Sequence, residues 1–134
     1  MSEIKILNPD SLGKPLGQYS HITRVKASEF LYIAGQVATD NGKPVGANDF
    51  EAQCRQVFAN IEAALKSQGA GFANIVEFTT YLVHSQDIAN FMSFRSREFP
   101  RMFPGGQYPP NTLLIVDRLV QESFLIEVQT VAAL

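Results

Sequence analysis

One cysteine, two histidines and no tryptophan occur in 134 residues. A single Cys54 excludes an internal disulfide and fits a reducing compartment. His21 and His84 lie far apart, and neither has Cys, His or Asp at metal-ligand spacing, so no metal site is expected. Lys and Arg never run beyond one residue, and the formal net charge is -2. Nucleic-acid binders gather a basic face, so nucleic acid is not an expected partner; only folding could collect Lys14, Arg24, Lys26 and Arg118 into a patch. No apolar stretch approaches the roughly 18 residues of a membrane span. The first five residues lack a signal-peptide pattern, which makes a cytoplasmic protein without membrane contact the expectation. Gly-x-Ser-x-Gly and phosphate-loop patterns are missing, and no cofactor is expected.

What is present describes a folded chain. Apolar residues make up 46% and charged residues 18%, which argues against disorder and for one domain over 1–134. Residues 4–7 read as an edge strand, Asn8-Pro9-Asp10 as a turn, and 21–26 as an alternating strand. Residues 30–37 are nearly all apolar, as in a strand buried on both faces, and Gly35 inside them implies close approach by backbone or ligand. After a turn-rich loop, Asn48 with Glu51 reads as the cap of a helix whose stripe is Phe50, Cys54, Val57, Phe58, Ile61 and Leu65. Gly69 ends it. Cys54 on that stripe is expected to be a buried, inert thiol.

Residues 74–84 form a β-branched and aromatic strand. Ser85 can cap a second helix with the stripe Ile88, Phe91, Met92, Arg95 and Phe99, stopped by Pro100 or Pro104. Strands over 112–119 and 124–132 read as a closing antiparallel hairpin. The order β-β-β-α-β-α-β-β predicts an α+β fold, a mixed six-stranded sheet with both helices on one face. Its other face is too apolar for water, and oligomerisation is the simplest cover.

Candidate chemistry concentrates near the end of the chain. Pro109-Pro110 fix φ and remove two backbone donors, so Asn111 and Thr112 enter their strand along a stiff path. Gln36, Asn111, Thr112, Gln129 and Thr130 are uncharged polar groups among Val, Ile and Leu. Such groups need partners, whether each other, water or a ligand. Asp117 and Glu127 could face each other across the expected hairpin, either as exposed or Arg118-paired acids or as an acid/base pair.

Several segments resemble the Rid family, the reactive-intermediate deaminases, also called YjgF-like proteins and once labelled L-PSP endoribonucleases. Leu16-Gly17-Gln18-Tyr19-Ser20 and Leu31-Tyr32-Ile33-Ala34-Gly35-Gln36-Val37 resemble its Gly-Pro-Tyr and Ser-Gly-Gln segments. Gln53, Asn60 and Ile61 resemble its Gln-to-Asn-Ile helix, and Tyr108-Pro109-Pro110-Asn111-Thr112 with Val116-Asp117-Arg118-Leu119 its site segment. Ile126-Glu127-Val128-Gln129-Thr130-Val131-Ala132 resembles its Ile-Glu-Ile-Glu-Ala-Ile-Ala terminus, so the likeness spans essentially the whole chain.

The resemblance implies a chorismate-mutase-like fold and a homotrimer whose clefts between subunits take a small molecule. It puts Tyr19, Ala34, Gly35, Pro110, Asn111 and Gln129 at the ligand. Deaminating members use an Arg to grip a substrate carboxylate and a Glu to handle the attacking water; this chain has Asn111 and Gln129 there. An amide offers no charge to a carboxylate and takes no proton at neutral pH. The catalytic residues are therefore not identified by the resemblance. Three functions follow as alternatives: hydrolysis of imines or enamines with altered preference, using Glu127, Asp117 or water held by Asn111 and Gln129; non-catalytic metabolite binding; and, less favoured, ribonuclease action.

Overall fold

A computed structural model gives the architecture of residues 2–134. The chain runs β1 (Glu3–Leu7), β2 (Ile22–Lys26), β3 (Phe30–Gln36), β4 (Thr39–Asp40), β5 (Lys43–Pro44), α1 (Phe50–Ser67), β6 (Ile75–Leu82), α2 (Asp87–Met102), β7 (Asn111–Ile115) and β8 (Ile126–Ala133). The main sheet has the order β3-β8-β6-β7, mixed because only β6 and β7 are parallel. Both helices pack on it, as expected for this α+β class.

The sheet is not six-stranded. β1 and β2 pair with each other from Glu3↔Lys26 to Leu7↔Ile22 as a separate ladder. A bond from Thr23 Oγ1 to the Val76 carbonyl (2.7 Å) joins that ladder to β6, and a side-chain bond does not extend a sheet. The turn-rich loop hides a small hairpin, β4–β5, whose Asn41 (φ 51) and Gly42 (φ 79) are both left-handed.

The closing hairpin is also absent. β6 lies between β7 and β8, taking β7 in parallel after the α2 crossover and β8 antiparallel. Sequence neighbours read as partners, but a parallel partner was available one helix earlier. Asp117 therefore falls in the exposed connection past β7, and Glu127 lies on β8, with β6 intervening.

The first helix is capped by Asp49, not Asn48. The Asp49 side chain accepts from the Ala52 N–H (3.0 Å), whereas Asn48 has φ 57, outside the extended geometry a cap needs. Within α1, Gln53 is almost fully buried. Its Nε2 donates to the Gly46 (3.1 Å) and Ser123 (2.8 Å) carbonyls, and its Oε1 accepts from the Leu125 N–H (2.8 Å). α2 starts at Asp87 without a side-chain cap from Ser85 and continues through Pro100 to Met102. Its buried stripe is Phe91, Phe94, Arg95 and Phe99, with Met92 turned outward.

The core under the helices is aromatic. Phe58 stacks on Phe94 (5.6 Å between centroids) and meets Phe78 and Phe99 edge-on at 5.7 and 5.5 Å. Such pairs add roughly 0.5–1.5 kcal/mol each beyond area burial. On the sheet's other face the burial of β3 stops: Phe30 is 44% and Tyr32 77% exposed. The strand expected to be covered on both sides is covered on one.

Candidate functional site

At the β3 edge, one irregularity brings candidate site residues together. The β3–β8 register moves from Ile33↔Thr130 to Gln36↔Val128, so β3 carries one extra residue where Ala34 and Gly35 meet Gln129. A Cβ on Gly35 would lie 2.0 Å from Glu127 Oε2 and 2.8 Å from its Cγ. The close approach anticipated from the internal glycine is thus made by a side chain, the Glu127 carboxylate. Alternation puts Glu127 and Gln129 on the face away from the helices, while Ile126, Val128 and Thr130 point into the core. Gln36 is occupied locally, donating from Nε2 to the Ala34 carbonyl (3.1 Å). Among the described residues, Glu127 enters none of the ion pairs.

At the β7 edge, the proline pair is pinned as its stiffness suggests. The Tyr108 ring packs 6.2 Å from Phe99 and 6.1 Å from Phe103, Pro109 is buried, and the Pro110 carbonyl accepts from the Phe78 N–H (2.9 Å). Asn111 then stands opposite Phe78, and Thr80 Oγ1 donates to its Oδ1 (2.7 Å). Thr80 is buried on the helix side, so the Asn111 side chain points to that side and keeps Nδ2 for another acceptor.

Tyr19 lies against α2. Its ring meets His21 edge-on, and its hydroxyl accepts from the Leu16 N–H (3.2 Å). Behind it sits Arg95, 4% exposed, with its guanidinium carbon 5.9 Å from the Tyr19 ring centre and 4.8 Å from that of Phe91. Nε and Nη1 of Arg95 are buried without a partner among the described residues. Burial holds this guanidinium below its ordinary pKa, with the Tyr19 oxygen partly opposing. In the sequence Arg95 belongs to the apolar stripe of α2, and a cation at a core position is the signal that marks it. Thr130 Oγ1 is likewise buried and unpartnered.

The six residues implicated by resemblance do not form one site within a chain. Ala34, Gly35 and Gln129 come together on the open face; Pro110 and Asn111 lie at the opposite edge of the sheet, with the Asn111 side chain on the helix face. Three strand spacings, roughly 14 Å, separate the two edges. A cleft containing both halves has to draw them from two copies. Apolar side chains exposed on β3 and β7 include Tyr32 (77%), Leu114 (40%) and Ile115 (45%). An apolar cavity of about 280 Å³ between Ile4, Ile6, Phe72, Met102, Phe103 and Pro109 touches the β7-edge segment at Pro109 and does not include Gly35, Glu127 or Gln129.

Other chemistry has little footing here. Cys54 is fully buried, and burial pushes its thiol well above the range in which a thiolate forms. Among the described residues, no group of His, Cys, Asp and Glu is arranged to hold a metal, and no helix is long and apolar enough to cross a membrane. His21 Nε2 is engaged with the Gly13 carbonyl (2.9 Å), and His84 lies exposed past the end of β6.

Comparison with known proteins gives the family and agrees with the fold. The family model for endoribonuclease L-PSP matches residues 10–134. A RutC family protein of Pyrococcus horikoshii is 32% identical over 130 residues, 96% of each chain, and one of Synechocystis is 29% identical over 133 residues, 98% of this chain and 97% of the other. The crystal structure of the Rid family protein YyfB from Yersinia pestis superposes with a TM-score of 0.87 at 32% identity, covering 98% of both chains. The YjgF gene product of E. coli shares the fold at 22% identity and TM-score 0.69, covering 79% of this chain and 81% of that one. The chain belongs to the Rid (YjgF-like) family, the family of the endoribonuclease L-PSP model.

Proposed function

We propose that this protein hydrolyses reactive imines or enamines in clefts between the subunits of a homotrimer. Each cleft would join Ala34, Gly35, Glu127 and Gln129 of one copy to Tyr19, Pro110 and Asn111 of the next. The observation that carries the reading is the Glu127 carboxylate laid over Gly35, two residues before the amide at Gln129 and on the same face. Glu127 takes a proton from water as its oxygen bonds to the imine carbon, and the nitrogen gains a proton. The carbinolamine then expels ammonia and leaves a carbonyl. Gln129 can orient the water but cannot take its proton, and Asn111 Nδ2 can donate to an acceptor on the substrate.

The test supplies 2-iminopropionate or 2-iminobutyrate to the purified protein and follows release of the 2-oxo acid. Wild type should exceed the buffer rate, and Glu127→Gln should lose about 10²-fold or more. A wild-type rate equal to buffer removes the hydrolase reading. A second reading, a trimer that binds a neutral metabolite without turnover, is favoured by the two amides, Asn111 and Gln129, at the positions implied for ligand contact. It predicts saturable binding of an amide-bearing ligand with no oxo-acid release. For assembly, a monomer at micromolar concentration in sedimentation would remove the shared cleft from both readings.

A further inference from the structure

We infer that Arg95 is a binding residue for the carboxylate of a small molecule, the cation that position 111 lacks being supplied from α2. The inference rests on the cleft reading above, because Tyr19 is the residue through which Arg95 joins that cleft.

A buried guanidinium requires acceptors for its N–H donors. Arg95 is 4% exposed, yet Nε and Nη1 have no acceptor among the described residues. Arg55, Arg97, Arg101 and Arg118 each pair with a glutamate at the surface, where pairing matters least. Among the described residues Arg24 and Arg95 enter no ion pair; Arg24 is exposed on β2, where water can serve it, whereas Arg95 is buried. Such a group is retained where an anion arrives to complete it, since an isolated buried charge is costly and a guanidinium does not escape by losing its proton.

The shape of the surroundings selects the anion. Phe91 and Tyr19 lie within cation–π distance of the guanidinium, 4.8 and 5.9 Å from its carbon to the ring centres. Aromatic groups can favour the positive charge but cannot satisfy its N–H donors. Those donors radiate in the guanidinium plane, and a flat, two-oxygen carboxylate matches two of them at once. Nη2 is not among the enclosed, unpartnered nitrogens of Arg95, which makes it the side of approach. Gly17 faces it without a side chain, and a Cβ there would come within 3.9 Å of Nη2 and 3.6 Å of the Met92 methyl. A longer residue at position 17 would fill that approach without touching the charge. On α2 the guanidinium stands in an otherwise apolar stripe, Phe91, Phe94, Arg95, Phe99.

Pyruvate and its neutral amide serve as probes, with the full-length assembled protein and the Arg side-chain Nε–Hε signals in ¹H–¹⁵N spectra as readout. Pyruvate should shift one buried Nε–Hε signal saturably, that signal should be missing in Arg95→Met, and the amide should leave it unmoved. Arg95→Met should weaken pyruvate at least tenfold while its thermal midpoint stays level or rises. If that variant does not fold, Gly17→Leu gives the same loss with Arg95 retained. Pyruvate binding within twofold of wild type in whichever variant folds overturns the assignment, as does an Arg95 signal that never responds because a carboxylate of a second copy holds it. The two proposals separate cleanly. Imine hydrolysis with an unchanged KM in Arg95→Met removes the role of Arg95 and keeps the hydrolase. Arg95-dependent pyruvate binding without hydrolysis does the reverse.

Discussion

The two faces of the β3-β8-β6-β7 sheet are built on opposite plans. The helix face is filled by rings: Phe78 is 1% exposed and Phe99 1%, each touching several other aromatics. The open face displays Tyr32, Ala34, Thr79, Glu127 and Gln129, apolar and polar side by side. Packing decides the first face, whereas the second stays open and takes contact and chemistry only under the proposed function. The lesson is that β-strand alternation lets one strand serve both: in β8, Ile126, Val128 and Thr130 build the core while Glu127 and Gln129 build the half-site.

If that contrast is right, substitutions on the two faces should fail in different ways. Phe99→Ala should cost about 3–5 kcal/mol in denaturant unfolding, the value for emptying a packed aromatic site. A loss near 0.5 kcal/mol would mean the helix face is loosely packed. Next in size is the half-site. Gly35→Ala should displace the Glu127 carboxylate, lowering imine hydrolysis about 10²-fold with little change in unfolding, because the obstructing atoms belong to a side chain that can swing away. Joined to Glu127→Gln, it should add nothing further, as both act on one carboxylate; additive losses would show that Gly35 matters for another reason. Tyr32→Asp should weaken self-association roughly 10–100-fold in sedimentation equilibrium, an anchor-residue loss, while leaving the fold of each copy in place. The smallest effect is at the helix start. Asp49→Ala should cost about 1 kcal/mol and Asn48→Gly close to nothing, and the opposite ranking would restore Asn48 as the cap.

Much of the element order was legible because it rests on periodicity. The stripe of Phe50, Cys54, Val57, Phe58, Ile61 and Leu65 gave α1, and β-branched density gave β6. Partnership between elements was not legible. Nothing local to 112–132 tells that β6 lies between its two strands, since pairing is a matter of where the α2 crossover returns the chain. The internal glycine at 35 announced a close approach, but the approaching group, Glu127, stands 92 positions further along. Asn48 lost the cap to its neighbour because the cap depends on backbone angles that the residue type leaves open. Arg95 was visible throughout as the charged member of an apolar stripe, and only the count of its buried, unmatched nitrogens gave it meaning.

The three hydrogen bonds of Gln53 reach further than the loop they close. One of them holds the Leu125 N–H, immediately before β8 begins. A strand that slipped by a single residue would exchange its faces, sending Glu127 and Gln129 into the aromatic core and bringing Ile126 and Val128 out into water. An amide on α1 therefore works as the index mark of β8, setting the frame in which the strand is read: in one frame the exposed face carries an acid, in the other hydrocarbon and a single hydroxyl, that of Thr130.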